Sequence, residues 1–191
     1  MPEYVRDKLY ERLFQPWVLP PPEWSKANED WVRVDTITRL PWHGRVLDFG
    51  AGDGTLAAMV CSRNPLVFRV DLVEHDHTQV TRAMLRWKDW PLFENNKWRE
   101  NEFDGALCCE VLEHLTEKDA EAVLLDIKKA LRPDAQFCVT VPCAGGSREH
   151  YPGHIRSFPQ FALRDELDRL GFGKVVEAKI DNLWWMAVCL A

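Results

Sequence analysis

Arg45-Val-Leu-Asp-Phe-Gly-Ala-Gly-Asp-Gly54 decides how the rest of this chain is read. Arg45 to Phe49 has the apolar, β-branched character of a short buried strand. Glycines then fall at alternate positions, Gly50, Gly52 and Gly54, and Thr55 to Cys61 reads as a helix. Strand, glycine turn and helix together build a nucleotide-binding crevice. Glycine reaches positive φ, and with no Cβ it lets a ligand touch the backbone. The helix behind it turns unpaired N–H groups toward a polar ligand.

The glycine spacing is not that of a dinucleotide fingerprint. The third glycine comes one residue early, and an acid, Asp48, stands two residues before the first. A carboxylate there repels a pyrophosphate and suits an ammonium group. Val46-Leu-Asp-Phe-Gly-Ala-Gly-Asp-Gly54 resembles motif I of the class I S-adenosylmethionine-dependent methyltransferases. The resemblance covers residues 44–190 and implies an α/β fold. Its mostly parallel, doubly wound, seven-stranded Rossmann-like sheet would have an antiparallel last strand. It also implies S-adenosylmethionine as cofactor, S-adenosylhomocysteine as product, and a floor under the methionine moiety built from Asp48, Phe49, Gly50, Ala51, Gly52 and Gly54.

The chain has 191 residues, enough for one domain with a full core, read as a cap over 1–42 and a Rossmann-like core over 43–191. Apolar residues make up 46% and charged residues 28%, as in ordinary globular proteins. The net charge of −6 and the lack of a Lys/Arg cluster argue against a duplex-binding surface, so nucleic acid is not the expected partner. No apolar run is long enough to span a bilayer, and the first residues show no signal-peptide core. The six cysteines lack metal-type C-x-x-C spacing and mostly sit in apolar runs, which suits buried thiols in a reducing, cytoplasmic setting.

Along the chain, residues 3–15 and about 25–40 have helical spacing, separated by Pro16 and Pro20-Pro-Pro22. In the family such segments cover the cofactor or cap the sheet. Leu66 to Glu74 is the second strand and must end in an acid if it is to hold a ribose. Glu74, with Ala83 nine residues on, fits the family pattern better than Asp71. Residues 84–102 show no clear alternation, so the third strand is expected to be short or missing. Asp89 is the candidate for the adenine contact, with Trp90 as a stacking face. Phe103 to Glu110 is the fourth strand, Ala135 to Val141 the fifth, and two final strands, Lys174–Ile180 and Leu183–Leu190, close the sheet. A helix from Pro159 to Leu170 comes before them.

Titratable groups gather where strands four and five end. Glu110, Glu113 and His114 stand at i, i+3 and i+4, and share one side if Val111 to Leu115 makes a helical turn. The loop after strand five brings His150 and His154. Transfer of a methyl group from sulfonium needs a nucleophile held in line and relieved of its proton. The Glu110–Leu115 block and Gly153-His-Ile-Arg-Ser-Phe158 resemble two sub-groups of the family. One methylates oxygen or nitrogen of small molecules. The other is the 3′-terminal ribose 2′-O-methyltransferases of small RNAs, where residues matching Glu110, Glu113, His114 and His154 bind a divalent ion. The reading adopted is a small-molecule O- or N-methyltransferase. Glu110 lies beside the sulfonium arm, and His114 and His154 face the acceptor as catalytic groups. A metal-assisted RNA-end enzyme and a non-catalytic cofactor-binding subunit are the alternatives.

Overall fold

The computed structural model describes residues 30–191, so the first helical stretch and the proline run lie outside the described residues, as does the start of the second stretch. What remains of the second is α1, Asp30–Thr38. After it come β1 (Gly44–Phe49), α2 (Thr55–Arg63), β2 (Val67–Val73), α3 (His77–Arg86), β3 (Leu92–Glu94) and β4 (Phe103–Cys109). A 3-10 turn at Leu112–His114 leads to α4 (Glu117–Ala130), β5 (Leu131–Pro142), α5 (Ala162–Arg169), β6 (Gly173–Ile180) and β7 (Trp184–Leu190).

One seven-stranded sheet has the order β3-β2-β1-β4-β5-β7-β6. The strands from β3 to β5 are parallel, and β7 runs antiparallel between β5 and β6. This is the doubly wound sheet expected from the sequence. Chain direction across the sheet reverses between β1 and β4, and a ligand crevice opens beyond the carboxyl ends of strands at such a point. Each face is sealed by its own apolar layer. Ile37, Ala57, Val60 and Ala83 cover the side of Val46 and Leu72. Ala120, Leu124, Ile127, Leu163 and Leu167 cover the side of Leu47 and Phe137. Trp184 and Trp185, adjacent in β7, go to opposite layers, as period-2 alternation requires.

The helix ends follow local chemistry. Thr116 caps α4 by accepting from the Asp119 amide at 3.2 Å, and Asp76 caps α3 through the Thr78 amide at 2.9 Å. Beyond α5, Gly171 takes a left-handed φ of 78° and its amide returns to the Asp168 carbonyl.

The third strand exists but has three residues, and only Leu92 is buried. From it the chain returns over 95–102 with no helix. An ion cluster stands on this part of the sheet. Asp71, fully buried in β2, accepts from Arg45 Nε at 2.7 Å and Arg69 Nε at 2.8 Å, and Arg45 also binds Glu102. Burial alone would raise the Asp71 pKa. The two guanidiniums outweigh it and hold the carboxyl below the usual carboxylate range. Asp71 is thus committed to the sheet, which leaves Glu74 as the acid at the end of β2.

Candidate active site

The glycine turn sits directly on the switch point. The Gly50 and Ala51 amides donate to the Val73 carbonyl at 2.8 and 3.1 Å, tying the end of β1 to the end of β2. Gly50 has φ 78°, and a Cβ there would stand 2.2 Å from Val111 Cγ2, so the turn closes against the chain leaving β4. Gly54, at φ 72°, lets α2 approach Ala83 of α3, where a Cβ would meet another at 2.8 Å. This contact explains the pairing of Glu74 with a small residue nine positions on. Gly52 differs from both. It has φ 51°, and a Cβ there would meet nothing within 4 Å.

Glu74 stands across from Gly52. Its Oε2 accepts from the Gly52 amide at 3.0 Å and its Oε1 from the Asp76 amide at 3.1 Å, and His75 Nδ1 lies 2.7 Å from Oε1. Carboxylate oxygens carry further lone pairs, so these bonds orient the group and leave it able to accept from ligand hydroxyls. Beside it opens a crevice of about 470 Å³ lined by Phe49, Glu74, Asn96, Trp98, Val111 and Leu115 among others. The size is that of a small-molecule site. Trp98 meets Phe49 edge-on at 6.4 Å between ring centroids.

Asp48 lies beneath this turn and is 1% exposed, and among the described residues its Oδ2 has no hydrogen-bond partner. Burial, with the negative charge of Glu74 added, pushes its pKa up to about 7. A buried, unsatisfied carboxyl of this kind fits a cationic donor such as an ammonium group.

Asp89 does not reach the crevice. It is exposed in the turn after α3, ahead of β3 and therefore at the amino ends of the strands. Trp90 packs into the apolar layer around Val46 and Leu72. Asn96 and Trp98, just past the carboxyl end of β3, line the crevice instead. A strand of three residues gives no alternation from which its ends could be read.

The second half of the site lies beyond β4 and β5. Glu110 has φ 58°, a strained value for a residue with a side chain. Its Oε1 accepts from the Thr140 hydroxyl at 3.0 Å and its Oε2 from the Trp184 indole N–H at 2.8 Å. Glu113 is the opposite case. It is fully buried, and neither carboxyl oxygen has a hydrogen-bond partner among the described residues. Burial, then the Glu110 charge, pushes its pKa up to about 8.

His114 Nδ1 lies 3.0 Å from the Gly153 carbonyl, which accepts only, so Nδ1 carries the proton and Nε2 keeps the lone pair in the neutral ring. His154 packs against it at 4.7 Å between ring centroids, with its Nε2 3.9 Å from Glu113 Oε1. Its Nδ1 is buried and has no hydrogen-bond partner among the described residues. Glu113, His114 and His154 offer ligand atoms within 4.8 Å of one another. Glu110 stands outside this group, held by Thr140 and Trp184, and His150 is 90% exposed on its side chain. Four candidate ligands become three. One carboxylate with two imidazoles is a donor set that divalent transition ions accept, and the unpartnered atoms of Glu113 and His154 are compatible with one.

Arg33, Thr140 and Trp184 surround the Glu110 carboxyl, and no spacing in the sequence singles them out. For Arg33 the available signal is its place beside Val34, Ile37 and Thr38, the buried stripe of α1.

Residues 24–177 match a family described as a methyltransferase domain. No curated protein matches the chain. Similar folds occur in solved structures. A SAM-dependent methyltransferase from Archaeoglobus fulgidus shares 14% identity and a TM-score of 0.66, over 85% of this chain and 97% of its own. One from Leishmania major shares 16% identity and a TM-score of 0.70, over 98% and 83%. An O-methyltransferase family protein from Burkholderia thailandensis shares 14% identity and a TM-score of 0.66, over 84% and 55%. The chain belongs to the class I S-adenosylmethionine-dependent methyltransferases. It is an enzyme of that family, with S-adenosylmethionine as its methyl donor. Among the described residues no helix is long and apolar enough to cross a membrane.

Proposed function

We propose that this methyltransferase acts on an oxygen or nitrogen of a small molecule, with His114 as general base. The observation carrying this reading is the His114 imidazole. Its Nδ1 is fixed on Gly153, which leaves a basic Nε2 at the end of β4, where a doubly wound sheet exposes its reactive site. The methionine end of the donor lies on Phe49 to Gly54 with its ammonium near Asp48, and Glu74 accepts from the ribose hydroxyls. Adenine enters the Trp98–Val111–Leu115 crevice, and Glu110 borders the sulfonium. His154 faces the acceptor beside His114. The sulfonium loses its charge as the methyl leaves, so the chain's task is alignment and removal of one proton. Alignment supplies roughly 7–11 kcal/mol in well-oriented systems.

Asp48 makes donor binding pH-dependent. Its folded pKa lies above the usual carboxylate value, so the free protein holds a proton there below pH 7. An ammonium ligand requires the carboxylate, so binding releases that proton. Affinity for S-adenosylmethionine then rises about tenfold per pH unit up to pH 7 and levels off. Calorimetry between pH 5 and 7 reads this slope, and Asp48→Asn flattens it. A flat profile in the wild type removes Asp48 from the site.

The unpartnered Glu113 carboxyl favours a second reading, a divalent ion held by Glu113, His114 and His154. His114 would then be a ligand with Glu113 and His154, and a bound divalent ion would supply Lewis-acid activation in place of a base. This is the arrangement implied by the RNA-end sub-group, with Glu110 missing from the set. Turnover unchanged by EDTA ends this version, and turnover abolished by EDTA and restored by Mn²⁺ replaces the first.

A further inference from the structure

Arg33 is 8% exposed and stands over the carboxyl ends of β4 and β5. A guanidinium has five N–H donors. Here Nη1 makes one long hydrogen bond, 3.4 Å, to the neutral Thr140 hydroxyl, and the buried Nε has no partner among the described residues. The carboxylate beside it, Asp30, is 3.9 Å from Nη2 and stands also 3.7 Å from Arg148. Both guanidiniums lie over the Trp184 ring, at 5.4 and 5.8 Å from its centroid. Glu110, which shares Thr140 with Arg33, spends its oxygens on the Thr140 hydroxyl and the Trp184 indole. A buried cation left so poorly paired is costly unless a ligand completes it.

We propose that the methyl acceptor carries a carboxylate and that Arg33 is the residue that reads it. A planar carboxylate matches the guanidinium fork, which a point charge would not require. The Nε N–H, without a partner among the described residues, is a donor open to that ligand. The Trp184 ring and the Thr140 hydroxyl are the contacts that position the guanidinium. With Arg33 on the acceptor's carboxylate, the heteroatom to be methylated faces His114 and the donor.

This rests on the small-molecule reading, and the test separates the two. The protein is first saturated with S-adenosylhomocysteine in a calorimeter. It is then titrated with ortho-, meta- and para-hydroxybenzoate, 3-hydroxybutyrate and the corresponding amides. Failure to bind S-adenosylhomocysteine counts against the cofactor site alone. With that ligand bound, at least one acid is expected to bind about tenfold or more tightly than its amide. Arg33→Gln keeps the planar polar end, drops the charge, and should erase that difference while leaving S-adenosylhomocysteine affinity in place. Arg33→Lys should restore part of it. No acid-over-amide preference in the wild type, or an undiminished preference in Arg33→Gln, overturns the proposal.

Discussion

Gly52→Ala leaves a folded protein that has lost roughly 100-fold in S-adenosylmethionine affinity, about 2.7 kcal/mol. The added methyl meets no protein atom within 4 Å, so the native packing has room for it. The left-handed φ of 51° costs about 1–2 kcal/mol for a residue with a Cβ, which a domain of this size tolerates. The Gly52 amide is bonded to Glu74, and in the proposed complex the donor lies over this part of the turn. The methyl then stands where the ligand approaches the backbone. Gly50→Ala is a poorer probe, because its methyl would stand 2.2 Å from Val111 and disturb the free protein too. The measurement is paired: thermal unfolding for the fold and calorimetry for the ligand. Undiminished affinity in Gly52→Ala would place the donor elsewhere.

His114→Ala lowers kcat by about 10²- to 10⁴-fold while donor affinity stays constant. The side chain is exposed, so its removal leaves the apolar layers untouched. It forfeits the bond to Gly153 and the edge-to-face contact with His154, neither of which supports the glycine turn. Single-turnover methylation with saturating donor isolates the chemical step. A His114→Ala enzyme with full kcat refutes the base assignment, and the loss of donor binding would show that the two halves of the crevice are coupled.

The parts legible in the sequence were those whose signals are local. Asp48, the alternate glycines and the helix after them lie within 14 residues, and each conformational demand is met by its own residue type. The spacing of Glu74 to Ala83 separates Glu74 from Asp71 in the sequence, and in the structure Asp71 is bound by Arg45 and Arg69. Residues 84–102 failed because a three-residue edge strand with one buried side chain leaves no period to detect. Asp89 lies at the opposite end of β3 from the crevice. The i, i+3, i+4 spacing also fails at Glu110. It assumes helical φ throughout, whereas Glu110 sits at φ 58° and points to Trp184, 74 residues on. Long-range partners of this kind, Arg33 with Thr140 among them, exist only once the sheet has assembled.

The central claim is that the crevice between Asp48, the glycine turn and Glu74 takes the donor. Titrating the wild-type protein with S-adenosylhomocysteine at pH 7 by calorimetry tests it most directly. The account predicts saturable binding of one ligand per chain, weakened in Gly52→Ala and in Glu74→Ala. Absence of binding in the wild type, or binding indifferent to both substitutions, would contradict it.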